Sequence, residues 1–202
     1  MVSDRRGQAH TLEAVSAALI LIASIVFALQ VTAVTPLSAS TSNQHIENQQ
    51  GAVAEGVLST AAESDEIRRT LLFWDDANDE FRGTGGEAYY VGEFPPTQFG
   101  QRLEAAFGGS GVAVNVYLRY DTTTGTERRD RLVYSGEPSD NAATAMRPVT
   151  LYDDEMLHED PDSDEVATPS GTAAGGNLYA EDVHGSSGVY NVIRVEVIVW
   201  RM

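Results

Sequence analysis

Residues 14–34 read AVSAALILIASIVFALQVTAV, a run of 21 without one charged side chain, and the next charge is Glu47. As an α-helix rising about 1.5 Å per residue, the run is roughly 31 Å long, close to the hydrocarbon thickness of a bilayer. A helix with no charged face must be covered by lipid, by sister helices or by a soluble core. Soluble core helices seldom run so long without a charge, so the segment is read as a transmembrane helix over 14–34. Its polar members are Ser16, Ser24, Gln30 and Thr32. Hydroxyls can return to carbonyls one turn back, and Gln30 lies near the outer end, within reach of water or headgroups.

The formal charge is −17 over 202 residues, and its distribution matters more than its size. Ahead of residue 14 the charges are Asp4, Arg5, Arg6 and Glu13, which cancel; after it, 11 Arg face 28 Asp and Glu. Such a surface repels nucleic acid and anionic headgroups, so neither is an expected partner. All 13 basic residues are Arg, with no Lys. An acidic, Lys-free chain rich in Ala, Gly, Thr and Val resembles proteins of extremely halophilic archaea, whose carboxylates work in salt that screens within a few Å; the alternative is an acidic protein from a high-GC genome. Cysteine is absent, which excludes disulfides, thiolate metal sites and a Cys nucleophile. None of the seven Asn begins an N-x-Ser/Thr sequon.

The first 12 residues, MVSDRRGQAHTL, form an address. One reading is a secretory signal cut by signal peptidase within 33–40, where the apolar run ends in VTPLSAS. Another grammar fits better. Arg5-Arg6-Gly7-Gln8-Ala9 ahead of the apolar run resembles the class III signal of archaeal type IV pilins and archaellins. The resemblance implies a prepilin peptidase that cuts between Gly7 and Gln8 after the basic Arg6, leaving the apolar helix on the mature protein. It implies that Glu13 is the acid that neutralises the N-terminal amine of a neighbouring subunit, a pairing that an acid in an apolar setting needs. Two departures stand: Glu13 would be the sixth mature residue rather than the usual fifth, and His10 and Thr11 interrupt a stretch that is normally apolar. Over about the first 60 residues the chain resembles a group of haloarchaeal pilin-like membrane proteins. Arg5 and Arg6 favour an N-terminus inside and a head outside.

The domain reading is a cytoplasmic signal-like segment 1–13, the transmembrane helix 14–34, a stalk helix 35–76 with a break at Pro36, and an extracellular head 77–202. Proline removes a donor and disfavours helix at Thr35, hence the break. Val53, Val57, Leu58, Ile67, Leu71 and Leu72 recur at helical spacing, which predicts helix from about 42 to 76, with a second interruption near 59–64. Residues 78–87 are Gly-rich and read as a loop, and 88–91 as a short strand. Thr97 is the predicted cap of a helix to Phe107, with Phe99, Leu103 and Phe107 on one face. VAVNVYLRY at 112–120 alternates as a strand and RRDRLVYS at 128–135 returns as its antiparallel partner. Residues 146–152 form another strand. VYNVIRVEVIVW at 189–200 is the strongest, with enough apolar character on both faces to be central. The excursion 153–188 is acidic, then Gly-rich, and reads as partly disordered. The fold class is therefore α+β: an N-terminal transmembrane and stalk helix, then a small, mostly antiparallel sheet with one or two packed helices.

Chemistry finds little purchase. The run DDEMLHEDPDSDE at 153–165 offers hard oxygen ligands for Ca²⁺ or Mg²⁺ but lacks the Gly-centred turn of an EF-hand, so a solvated acidic loop is the plainer reading. His10, His45, His158 and His184 make no zinc-binding spacing, and no nucleophile elbow or Walker motif is present. The expectation is no cofactor and no enzymatic role. Phe73, Trp74, Tyr89, Tyr90, Phe94, Phe99 and Phe107 read as core, or alternatively as a sticky patch. Three functional readings remain: a pilin-like subunit, with the bilayer, sister subunits and a prepilin peptidase as partners; a single-pass protein whose head binds something and never polymerises; and a secreted domain.

Overall fold

The computed structural model describes residues 3–109, 111–160 and 178–202, with side chains placed except at 3–8 and 31–43. The chain divides into two compact units, Met1–His45 and Ile46–Met202.

Helix α1, Ser3–Glu63, belongs to both units. In the first unit its described side chains are exposed on every side: Leu19, Ile22, Ile25, Phe27 and Leu29 all stand open. Ser16 donates to Leu12 O at 2.8 Å and Ser24 to Ile20 O at 2.7 Å, so these hydroxyls are satisfied by the helix itself. The break expected at Pro36 is not there, because the helical backbone continues through it. A single proline deletes one i→i−4 donor, which a helix of 61 residues can absorb. The second interruption, expected near 59–64, falls at Ser64–Asp65, where Asp65 adopts a left-handed φ of 57°, a conformation that Asp tolerates better than most residues. Helix α2, Glu66–Leu71, follows, and helix ends at Leu72 rather than near Asp76.

The second unit is α+β. β1, Trp74–Asp75, and β2, Glu80–Phe81, form a small antiparallel hairpin. β3, Tyr90–Val91, precedes α3, Gln98–Phe107. The long strands are β4, Val112–Asp121, β5, Glu127–Tyr134, β6, Ala143–Tyr152, and β7, Val189–Arg201. They make a five-stranded sheet in the order β3-β5-β4-β7-β6, antiparallel except where β3 runs parallel to β5.

The core lies on one face of this sheet. Val114, Val116 and Leu118 from β4 and Val195, Val197 and Val199 from β7 supply the floor. Above it sit Ala54, Leu58 and Ala61 of α1, Ile67 and Leu71 of α2, and Phe99, Leu103 and Phe107 of α3. The steps of three and four residues put each helical set on a single stripe. Each Leu, Ile or Phe buried there contributes about 1.5–3 kcal/mol of transfer free energy. The latter part of the predicted stalk is thus structural core of the head. α3 is capped as expected: Gly100 N–H donates to Thr97 Oγ1, and that hydroxyl also meets Thr70 Oγ1 at 2.7 Å.

β7 is interior, paired with β4 on one side and β6 on the other. Two buried asparagines stitch the sheet to its loops. Asn191 Nδ2 donates to the carbonyls of Asp121 (2.9 Å) and Glu181 (2.8 Å). Asn115 Nδ2 donates to Gly136 O at 2.8 Å and its Oδ1 accepts from Ser135 N at 2.7 Å. Alternation puts Asn115 and Tyr117 on the face opposite Val114 and Val116; both are buried there, Asn115 beneath the turn after β5 and Tyr117 beneath Arg129. The excursion after β6 docks at both ends. His158 N–H donates to Leu72 O at 2.8 Å, and Leu157, Leu178 and Ala180 join the core. Of the excursion 153–188, expected to be partly disordered, residues 161–177 lie outside the described residues, acidic positions 161–165 among them.

Candidate functional site

Two regions carry groups that could act on something outside the chain. The first is the apolar front of α1. Ala9–Gln30 is, among the described residues, the one helix long and apolar enough to cross a membrane, at 22 residues and a mean hydropathy of 2.4, with none of it buried. Arg6, Gly7 and Gln8 lie within α1, and their side chains are outside the described residues. Glu13 is 82% exposed, and its Oε2 lies 3.7 Å from Nδ1 of His10, one turn earlier. The structure therefore gives the acid an intrachain neighbour of a kind the spacing did not suggest.

The second region is the face of the sheet turned away from the core. Pairing places Arg129 opposite Arg119, and Arg119 opposite Arg194, so three guanidinium groups cross β5, β4 and β7 in a row. Like charges directly opposite one another are destabilising, and carboxylates between them offset this. Glu127 accepts from Arg119 (2.8 Å) and Arg194 (2.7 Å). Glu196 accepts from Arg129 at 3.0 Å and Arg119 at 3.4 Å, and Asp121 meets Arg194 at 3.4 Å. The Arg119 guanidinium, then Arg194, holds the Glu127 carboxyl below the usual carboxylate range. Glu196 is only 7% exposed, and Arg119 and Arg129 both pair with it there.

Beside it the arginines stack on rings. Arg129 lies 3.5 Å from the centroid of Tyr117 and Arg131 4.2 Å from that of Tyr134, with Tyr89 edge-on to Tyr134. Cation–π contacts of this kind hold a guanidinium flat and leave its N–H edge available. Around the edge of β5, on the core side, Trp74, Phe81 and Tyr179 cluster with centroids 5.0 to 5.4 Å apart, Trp74 edge-to-face with both other rings. Tyr120 Oη donates to Tyr179 O at 2.9 Å and to Asp130, and burial followed by the Asp130 carboxylate pushes its phenol well up. A cleft of about 850 Å³ runs between the two ring clusters along Arg128–Arg131.

Sequence reasoning named some of these aromatics, Trp74 and Tyr89 among them, and read them as core or alternatively as a sticky patch. It did not see the Arg–Tyr stacking, because register between strands brings these partners together. The alternation Arg129-x-Arg131 within a predicted strand was the available signal. No metal centre emerges: among the described residues no group of three His, Asp or Glu is placed to hold an ion.

An exposed apolar helix feeding an α+β head, whose far face is an Arg–Glu–Tyr lattice, defines the class of protein. The sequence matches DUF7288, a family of unknown function, over residues 6–199, so the chain belongs to that family. No curated protein and no solved structure matches it.

Proposed function

We propose that this chain is a type IV pilin-like surface protein of a halophilic archaeon, held in the membrane by the front of α1 with its head outside. It is drawn from there into a pilus-like filament, where the head serves adhesion or contacts with other subunits. The observation that carries the reading is the fully exposed apolar helix Ala9–Gln30, which follows the basic pair and Gly7 and belongs to the same helix as the Ala54–Leu58–Ala61 stripe of the head core. Once the helix leaves lipid, sister helices can bury its surface and Glu13 can find the amine of a neighbour. A prepilin peptidase cutting after Gly7 supplies that amine.

One observation favours a second reading, a single-pass membrane protein that does not polymerise. His10 stands 3.7 Å from Glu13, one turn earlier on the same helix, so the acid has an intrachain neighbour that competes with a sister chain's amine. N-terminal mass spectrometry of the native protein from washed membranes separates the cases. The pilin-like reading expects a mature chain beginning at Gln8, and a Gly7→Val variant stalled at Met1. A native chain that starts at Met1 removes the peptidase step and leaves the anchored protein. One that starts beyond Val34 removes both.

A further inference from the structure

The edge of β5 carries an inference beyond anchoring and assembly. β3 covers β5 only at Val133 and Tyr134. Among the described residues no strand pairs with the outer edge of β5 from Glu127 to Leu132. Six residues of strand present roughly 20 Å of backbone donors and acceptors. Charged side chains on such an edge often serve only to discourage wrong pairing. Two features argue for an occupant here.

The first is the shape of the space. The cleft of about 850 Å³ follows this edge and has aromatic walls on both sides of it, Trp74 and Tyr179 toward the core, Tyr89 and Tyr117 on the outer face. The second is the state of the arginines. Arg119, Arg129 and Arg194 are matched by carboxylates, whereas Arg131 has rings and the Tyr89 hydroxyl around it and, among the described residues, no carboxylate within salt-bridge range. In a chain with a net charge of −17, a guanidinium oriented by two rings and lacking an acid is an anion acceptor in waiting.

We propose that the β5 edge captures an extended segment of a partner protein as an added strand, and that this segment alternates acidic and apolar side chains. Strand geometry sets the alternation. Successive side chains point to opposite faces, so one set meets Arg131 and the Tyr89 and Tyr117 rings while the other meets Trp74, Phe81 and Tyr179. Main-chain hydrogen bonds to Glu127–Leu132 hold the segment, and the two walls read its pattern.

The test uses the full chain in detergent micelles and fluorescein-labelled octapeptides followed by anisotropy. Alternating Glu-Leu should bind saturably, while a block peptide of the same composition, four Glu then four Leu, should bind at least tenfold more weakly. Of two alternating peptides N-methylated at every second residue, one in each register, at least one should lose binding because its donors face β5. Arg131→Gln should weaken the alternating peptide about tenfold, the loss expected for one charge-assisted hydrogen bond. Arg147→Gln on β6, far from the cleft, should leave binding unchanged. Hydrogen exchange should slow in 127–132 when peptide is added, a readout that does not depend on any variant folding. Equal binding of the block peptide, or of both methylated peptides, overturns the proposal. So does a dimer in light scattering whose β5 amides are protected without peptide, because the edge would then be taken by a second copy.

Discussion

Gly100→Ala sets two rules against each other. Gly100 lies in the first turn of α3, in ordinary helical backbone, where general helix propensity says that alanine should stabilise by about 1 kcal/mol. The surroundings say the opposite. A Cβ at Gly100 would stand 1.9 Å from Pro95 O, 2.8 Å from Pro95 C and 3.0 Å from Pro95 N. These are backbone atoms held by two consecutive prolines, so no side-chain rotation gives relief. Either the Pro95–Pro96 segment moves by roughly 1 Å or α3 tilts, and a tilt pulls Phe99 and Leu103 out of the core. Overpacking of this kind costs typically about 1–3 kcal/mol, here toward the upper end, leaving a net loss of about 2 kcal/mol after the propensity gain. For a domain of this size that is a fall in Tm of roughly 4–8 °C. Gly56→Ala is the internal control. It lies in α1, where an added Cβ would meet nothing within 4 Å, so the same change should raise Tm by about 1–4 °C. Thermal melts of the full chain in micelles, followed by tryptophan fluorescence, read both. A Gly100→Ala protein as stable as the parent would refute the reasoning, because it would mean that the Pro95 crossing is not where the structure puts it.

Two further expectations concern ionisable groups. Glu66 takes a two-pronged hydrogen bond from Arg102 of α3, which, together with Ser64, holds its carboxyl below the usual range. That stability is present above the ordinary carboxylate pKa and is lost as pH falls through the lowered folded value; Glu66→Gln should cost about 1–2 kcal/mol near pH 7, discounted for the exposure of Arg102, and the gap from wild type in melts should close as pH falls below the ordinary carboxylate range. Burial pushes the phenols of Tyr90, Tyr120 and Tyr179 well up and that of Tyr190 to about 12. Folded-state values above the unfolded one stabilise below about pH 10 and cease to as pH rises through them, so tyrosinate absorbance should show these four still protonated at about pH 11 in the folded chain and ionised in denaturant; full ionisation at that pH without unfolding would contradict the packing.

What could be read from the residues was whatever repeats locally. The apolar run, the Phe99–Leu103–Phe107 stripe capped by Thr97, the strand patterns of β4 and β7 and the antiparallel return of β5 each declare themselves over a short local stretch, and all are present. The hairpin of β1 and β2 was missed because Trp74 pairs with Phe81 around a turn in which Asp79 takes a left-handed φ of 61°, and two-residue strands leave no period to detect. Pro36 misled because proline acts on one donor, and the rest of a long ladder can outweigh it. The second region of the site was hidden for a different reason. Tyr89, Tyr117, Arg129, Arg131 and Tyr134 become neighbours only through the pairing of β5 with β4 and β3, and register between strands cannot be read from any one of them.

The placing of β7 has a consequence for the order of events during synthesis. β6 pairs only with β7 among the described strands, and the inner edge of β4 is closed by β7. Until Val189–Arg201 has arrived, a nascent head has one strand with no neighbour and another with a bare apolar edge, so nothing that resembles the finished sheet can set early. Its decisive contacts join positions far apart in the chain, as between Tyr117 and Glu196, a topology that folds slowly. A chain of this design stays pliable through its synthesis and hardens in a late step.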